Sequence, residues 1–93
     1  MKKTYKHLGQ VVKDFRAKAH LTQKDLAEKL GYNIPQFISL MENGHSKIPL
    51  NVLGELISFL KIPEKMVLDI LLETYKKEAR EQISSGRKKA ANY

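Results

Sequence analysis

The side chains best supplied for chemistry in this sequence are basic, and they gather in two clusters. Lys2, Lys3, Lys6, Lys13, Arg16 and Lys18 form one, with Asp14 the only acid among them; Lys76, Lys77, Arg80, Arg87, Lys88 and Lys89 form the other. The formal net charge is +7, and the stretch between the clusters is near balance. Ammonium and guanidinium groups at this density favour a polyanionic partner, through phosphate contact and release of condensed counterions. Charge alone leaves open the plainer reading that basic ends only keep the protein soluble. Other chemistry is poorly supplied. His7, His20 and His45 are scattered, no carboxylate spacing assists them, and there is no cysteine, so no metal site is expected. No nucleophile elbow and no phosphate-loop glycine pattern accompanies the serines and aspartates. An enzyme is therefore not expected, and no cofactor is implied.

The elements that must carry these charges read as helix throughout. Leu8, Val11, Val12, Phe15 and Ala19 recur at three- and four-residue steps, painting one face of a helix from about Tyr5 to Ala19. His20 near its end suits the helix dipole, and Leu21 follows as a buried linker. Thr22 with Asp25 three residues on makes a capping-box variant with a shorter acid. A second helix then runs to Leu30, with Leu26, Ala27 and Leu30 inward, and Gly31 is placed to take the left-handed conformation that ends it. Tyr32, Asn33 and Ile34 make a turn. Pro35 opens a third helix to Glu42 or Asn43, with Ile38 and Met41 as its core pair, Phe37 packed against the second helix, and Gly44 as the next terminating glycine. His45 to Pro49 form a loop. Val52, Leu53, Leu56, Ile57 and Leu60 give a fourth helix, broken at Ile62-Pro63, and a fifth runs from Glu64 to about Ile83. No repeat and no convincing strand is present.

Two short helices, 22–30 and 35–43, joined by a tight glycine-containing turn, have the helix-turn-helix layout, in which the second helix enters the DNA major groove. Ala27 supplies the small residue where the helices cross and Gly31 the chain reversal. Any helical hairpin could share these features. The stretch Leu8-Gly9, Arg16, Leu21-Thr22-Gln23-Lys24-Asp25-Leu26-Ala27, Gly31-Tyr32-Asn33, Phe37-Ile38-Ser39, Glu42-Asn43-Gly44, Pro49, Leu53 and Leu56 goes further. Over about Leu8 to Leu71 it resembles the lambda-repressor and Cro-like, or XRE-type, helix-turn-helix family, with caps, core positions and polar positions in register.

The resemblance implies an all-α, five-helix lambda-repressor-like bundle that binds double-stranded DNA. It implies that Gln23 contacts a phosphate, as do Asn43 and the polar loop after it with Ser46 and Lys47, and that Arg16 and Glu42 form a structural ion pair between the first and third helices. Counting back from Glu42, it puts Ile34, Pro35, Gln36, Ser39 and Leu40 where the family reads bases. Two departures accompany it. The segment from Gly31 to Glu42 is one residue longer than the commonest pattern, with the extra residue assigned to Asn33 or Ile34. Only Gln36 and Ser39 of the reading positions have hydrogen-bonding side chains, so contact with thymine methyl groups is expected to contribute.

Met66, Val67, Ile70 and Leu71 of the fifth helix can face the first and fourth. Leu68, Leu72, Tyr75, Ala79 and Ile83 form a second stripe at steps of four, three, four and four, which is expected to bury itself in a homodimer. The expected organisation is a basic N-terminal arm over residues 1–4, a DNA-binding domain over 5–83 that includes the dimerisation helix, and a flexible basic tail over 84–93. No apolar run approaches the ~20 residues of a membrane span, and the basic start is followed by an amphipathic rather than an apolar stretch, so a cytoplasmic protein is expected. The function expected is transcriptional repression or autoregulation through a DNA operator. The alternative is an antitoxin that binds DNA and holds a protein toxin on its C-terminal helix.

Overall fold

A computed structural model describes residues 2–92, with side chains from Thr4 onward. The five helices are α1 (Lys2–Lys18), α2 (Gln23–Leu30), α3 (Gln36–Glu42), α4 (Leu50–Leu60) and α5 (Glu64–Ala91), and no strand occurs among the described residues. The chain is all-α, as expected.

Apolar side chains at helical spacing converge on one core. Leu8 and Val12 of α1, Leu26 and Ala27 of α2, Ile38 and Met41 of α3, Val52, Leu53, Leu56 and Leu60 of α4, and Val67 of α5 are all buried there. Ile48 and Ile62 close it from the loops before and after α4. Leu26, Ile38 and Leu56 are the largest fully buried side chains, each contributing about 1.5–3 kcal/mol by its removal from water. Helix α1 lies centrally and packs on α3, α4 and α5.

Short-range signals end the helices sharply. Thr22 Oγ1 accepts from the Asp25 amide at 3.0 Å while the Asp25 carboxylate accepts from the Thr22 amide at 2.9 Å, completing the capping box of α2. At the other end Gly31, at φ 79°, donates to Glu28 O and the Tyr32 amide reaches Ala27 O at 2.9 Å. Gly44, at φ 75°, repeats the arrangement after α3, with His45 N donating to Leu40 O. These crossed bonds satisfy carbonyls that the helix itself leaves open. Helices α1 and α4 end in the same way on residues with side chains, His20 at φ 57° and Lys61 at φ 55°. That conformation costs an L-residue roughly 1–2 kcal/mol, offset in part where the following Leu21 and Ile62 pack on the core.

Both outer segments differ from expectation. The expected arm over residues 1–4 is helical from Lys2 onward, and Thr4 is buried, because Thr4, Leu8, Val12 and Phe15 continue one face of α1; Met1 lies outside the described residues. The expected tail over 84–93 is helical through Ala91, with Tyr93 outside the described residues. Ser84-Ser85-Gly86 does not stop α5. One glycine costs about 1 kcal/mol, whereas Arg87, Lys88, Lys89, Ala90 and Ala91 all favour helix and the two lysines complement the dipole of the last turn.

Helix α5 therefore outgrows the body. Its 28 residues span about 42 Å, and only Val67, Ile70 and Leu71 join the core. The molecule measures 56 × 25 × 19 Å, with a radius of gyration of 16.3 Å against about 12 Å for a compact domain of this length.

Candidate nucleic-acid interface

Helix α3 is held by its inner face and open on its outer one. Ile38, Met41 and Glu42 are buried. Glu42 is the unusual member, a carboxylate buried among apolar groups, which demands a charged partner. Arg16 supplies it in bidentate fashion, Nε donating to Oε2 at 2.6 Å and an Nη to Oε1 at 3.0 Å. Its other Nη donates to the Leu21 carbonyl at 2.8 Å, and the Gln23 amide adds a third bond to Glu42 Oε1 at 3.0 Å. Hydrogen bonding to Glu42 raises the Arg16 pKa above its ordinary value, against the lowering effect of burial. One carboxylate thus ties α1, the α1–α2 linker and the start of α2 to the end of α3.

Backbone contact reinforces this. Gly9 in α1 lies against the carbonyls of Met41 and Glu42, so that a Cβ there would meet the Met41 oxygen and stand 2.6 Å from that of Glu42. A Cβ on Gly44 would lie 2.6 Å from the Lys6 Cα. The two glycines let α1 touch the end of α3 directly.

The opposite side of α3 and the turn before it face solvent. Gln36 is exposed, and among the described residues its amide has no partner. Ile34 and Leu40 are 45% and 42% exposed, while Pro35 and Ser39 are half-buried. Asn43 Nδ2 donates to Ser39 Oγ at 3.3 Å, bringing those two side chains together at the exposed end of α3. In the following loop Lys47 is exposed, and Ser46 Oγ donates to the Lys47 carbonyl at 3.3 Å. The Arg16 and Glu42 side chains meet. Gln23 stands beside that pair, its amide turned to Glu42.

Phe37 is 50% exposed, and its ring rests on Tyr32 in the turn, centroids 5.4 Å apart and tilted at 54°. Ile38 and its neighbours Met41 and Glu42 claim the inner face, leaving Phe37 about 100° away from Ile38 on the flank. That offset leaves Phe37, like Ile34 and Leu40, an exposed apolar side chain close to Gln36 in the sequence.

A family model described as helix-turn-helix matches residues 12–66, more than half of the chain. The chain belongs to the lambda-repressor-like, XRE-type helix-turn-helix family. No curated protein and no solved structure matches it. In this helix-turn-helix protein the matched segment runs from Val12 in α1 to Met66 in the first turn of α5, so it contains the capped α2, the turn and α3. It is a DNA-binding regulator. The distal part of α5 lies outside the matched segment. Among the described residues no helix is long and apolar enough to cross a membrane.

Proposed function

We propose that this protein is a sequence-specific repressor or autoregulator that covers its operator as a homodimer and so competes with polymerase. The observation that carries this is the two-sided character of α3, clamped at Glu42 and solvent-open at Ile34, Gln36, Phe37 and Leu40. A rigid support with an open face is what major-groove reading requires. Gln36 reads an adenine edge through paired hydrogen bonds. Ile34, Leu40 and the flanking Phe37 contact thymine methyl groups, Pro35 sets the start of the helix, and Ser39 is oriented by Asn43. Gln23, Asn43, Ser46 and Lys47 meet the phosphates on either side. The selected sequence is therefore expected to be rich in A·T pairs. Two copies are needed because one module has a small footprint, and operators of this layout pair half-sites about 34 Å apart.

Selection of bound sites from random duplex DNA at a stated salt concentration tests the reading, followed by transcription from a promoter carrying the selected site. A two-fold-related, A·T-rich site and loss of transcript are expected. Recovery of no preferred sequence would overturn it. A second reading, favoured by the exposed apolar stripe on α5, is an antitoxin that binds DNA and holds a toxin on that helix. It predicts that a small protein encoded beside this one co-purifies with it.

A further inference from the structure

Half of α5 is a helix with nothing of its own body to lean on. An unpacked helix is marginal in water, and this one contains Ser84, Ser85 and Gly86, all weaker helix formers than alanine. Yet it carries an apolar row. Leu68, Leu72, Tyr75 and Ile83 are 47%, 64%, 72% and 62% exposed, and the half-buried Ala79 lies between Tyr75 and Ile83 in the row. The row continues through Gly86 and Ala90, repeating every 11 residues. At about 3.67 residues per turn such a row stays on one side of a nearly straight helix. It lies roughly 130° around α5 from the side that Val67, Ile70 and Leu71 bury, so the body cannot cover it by a small shift.

We propose that this row is the docking surface for a second copy of the chain, with the two α5 helices antiparallel and the two-fold axis between Tyr75 and Lys76. The pairing rests on the homodimer reading above and specifies its geometry. Charge chooses the direction. From Glu64 to Glu73 the helix carries three acids and one base, whereas from Lys76 to Lys89 it carries six bases and two acids. A parallel pair stacks both basic halves together. An antiparallel pair lays the acidic half of each helix along the basic half of the other.

The register agrees with that direction. With the axis between Tyr75 and Lys76, Leu68 meets Ile83 of the second copy and Leu72 meets its Ala79. Beside the row run Asp69, Glu73, Lys76 and Arg80, each one residue after a row member. Reversal brings Asp69 diagonally across from Arg80 of the other copy and Glu73 diagonally across from its Lys76, two residues off the pairing of the row itself. The two Lys76 side chains approach each other at the axis, flanked by both Glu73 carboxylates. Lys65 already holds Asp69 at 2.8 Å, so that acid is shared between two bases. Gly86 and Ala90, the smallest members of the row, fall where the end of one helix passes the body of the other.

Cross-linking tests this directly, because the chain has no cysteine of its own. Tyr75→Cys, Leu68→Cys and Ile83→Cys all change exposed residues, so the fold should stand. Under mild oxidation without DNA, Tyr75→Cys should cross-link to itself. Leu68→Cys and Ile83→Cys should each fail alone and cross-link when mixed. Self-cross-linking at all three positions would overturn the antiparallel pairing and leave the dimer in place. A wild-type chain that sediments as a monomer, alone and on a full operator, would overturn both. Binding of a different protein at this row, with the chain otherwise monomeric, would overturn the pairing as well. Sequence-specific DNA binding is read separately by gel shift, so its failure is distinguishable from failure of the pairing.

Discussion

Arg16 and Glu42, 26 positions apart in sequence, meet as a two-pronged ion pair at 2.6 and 3.0 Å, with the Glu42 side chain 1% exposed and that of Arg16 14% exposed. The pair joins the helix at the centre of the fold to the last residue of α3, the helix proposed to face DNA. Its worth is positional, since two buried charges seldom stabilise a protein more than apolar groups of the same shape would.

Removing one partner is a different matter. Arg16→Ala leaves Glu42 buried with only the Gln23 amide and should cost about 3 kcal/mol. Lys13→Ala and Lys18→Ala, at exposed positions of the same helix, should each stay within about 0.5 kcal/mol. Arg16→Lys should recover little, because an ammonium cannot span both oxygens and the Leu21 carbonyl together. Urea midpoints compare the four proteins, and equal midpoints would count decisively against the pair.

Two glycines in helix interiors should respond with opposite signs. Gly9→Ala pushes a Cβ into the backbone of Met41 and Glu42, which cannot give way without moving α3. It should destabilise by about 2 kcal/mol or more. Gly54, in α4, has nothing within 4 Å of a built Cβ, so Gly54→Ala should stabilise by about 0.5–1 kcal/mol. Thermal melts of both variants make the comparison, and Gly9→Ala should in addition weaken DNA binding.

The capping box predicts a pH dependence of known sign. Asp25 is held below its ordinary pKa, first by the hydrogen bond from the Thr22 amide and next by the Thr22 side chain. A carboxyl depressed in the folded state contributes stability that is complete above its ordinary value. The contribution is lost as pH falls through that value toward the lower folded one. The stability gap between wild type and Asp25→Ala should therefore be constant around neutrality and narrow in acid. A gap that widens in acid would contradict the assignment.

The base reading proposed for α3 divides into one polar and one apolar part. Gln36→Ala should weaken specific binding by about 1–3 kcal/mol and relax preference at one base pair. Replacing individual thymines of the selected site with uracil removes only a methyl group. It should weaken the wild type where Ile34, Phe37 or Leu40 makes contact, and should have no further effect once the contacting side chain is changed to alanine. Competition gel shifts measure both, and unchanged discrimination in Gln36→Ala would remove that residue from the reading set.

What the sequence by itself determined is whatever local geometry encodes. Thr22 and Asp25 announce a helix start because both bonds of the box close within four residues. Gly31 and Gly44 announce stops because the left-handed conformation is a property of one residue and its neighbours. The spacing of Leu8, Val12, Leu26, Ile38 and Leu56 marks inward faces. The Arg16–Glu42 pair became legible only through resemblance to a family, since nothing local links two residues so far apart. Tertiary structure alone decided the rest. Gly9 reads as an ordinary weak helix former until the carbonyls of Met41 and Glu42 are found against it. Gln23 is a phosphate contact by resemblance, and only the fold shows its amide donating to Glu42. Phe37 is placed by the sequence beside the second helix, and the fold shows its ring resting on Tyr32 with half its surface open. Ser84-Ser85-Gly86 carries the local marks of an ending, yet propensities of a kilocalorie or less are too small to stop a helix that strong formers continue on the far side. Local signals specify where elements turn, whereas contacts between distant segments, worth more per residue and invisible to spacing, specify which surfaces those elements leave exposed.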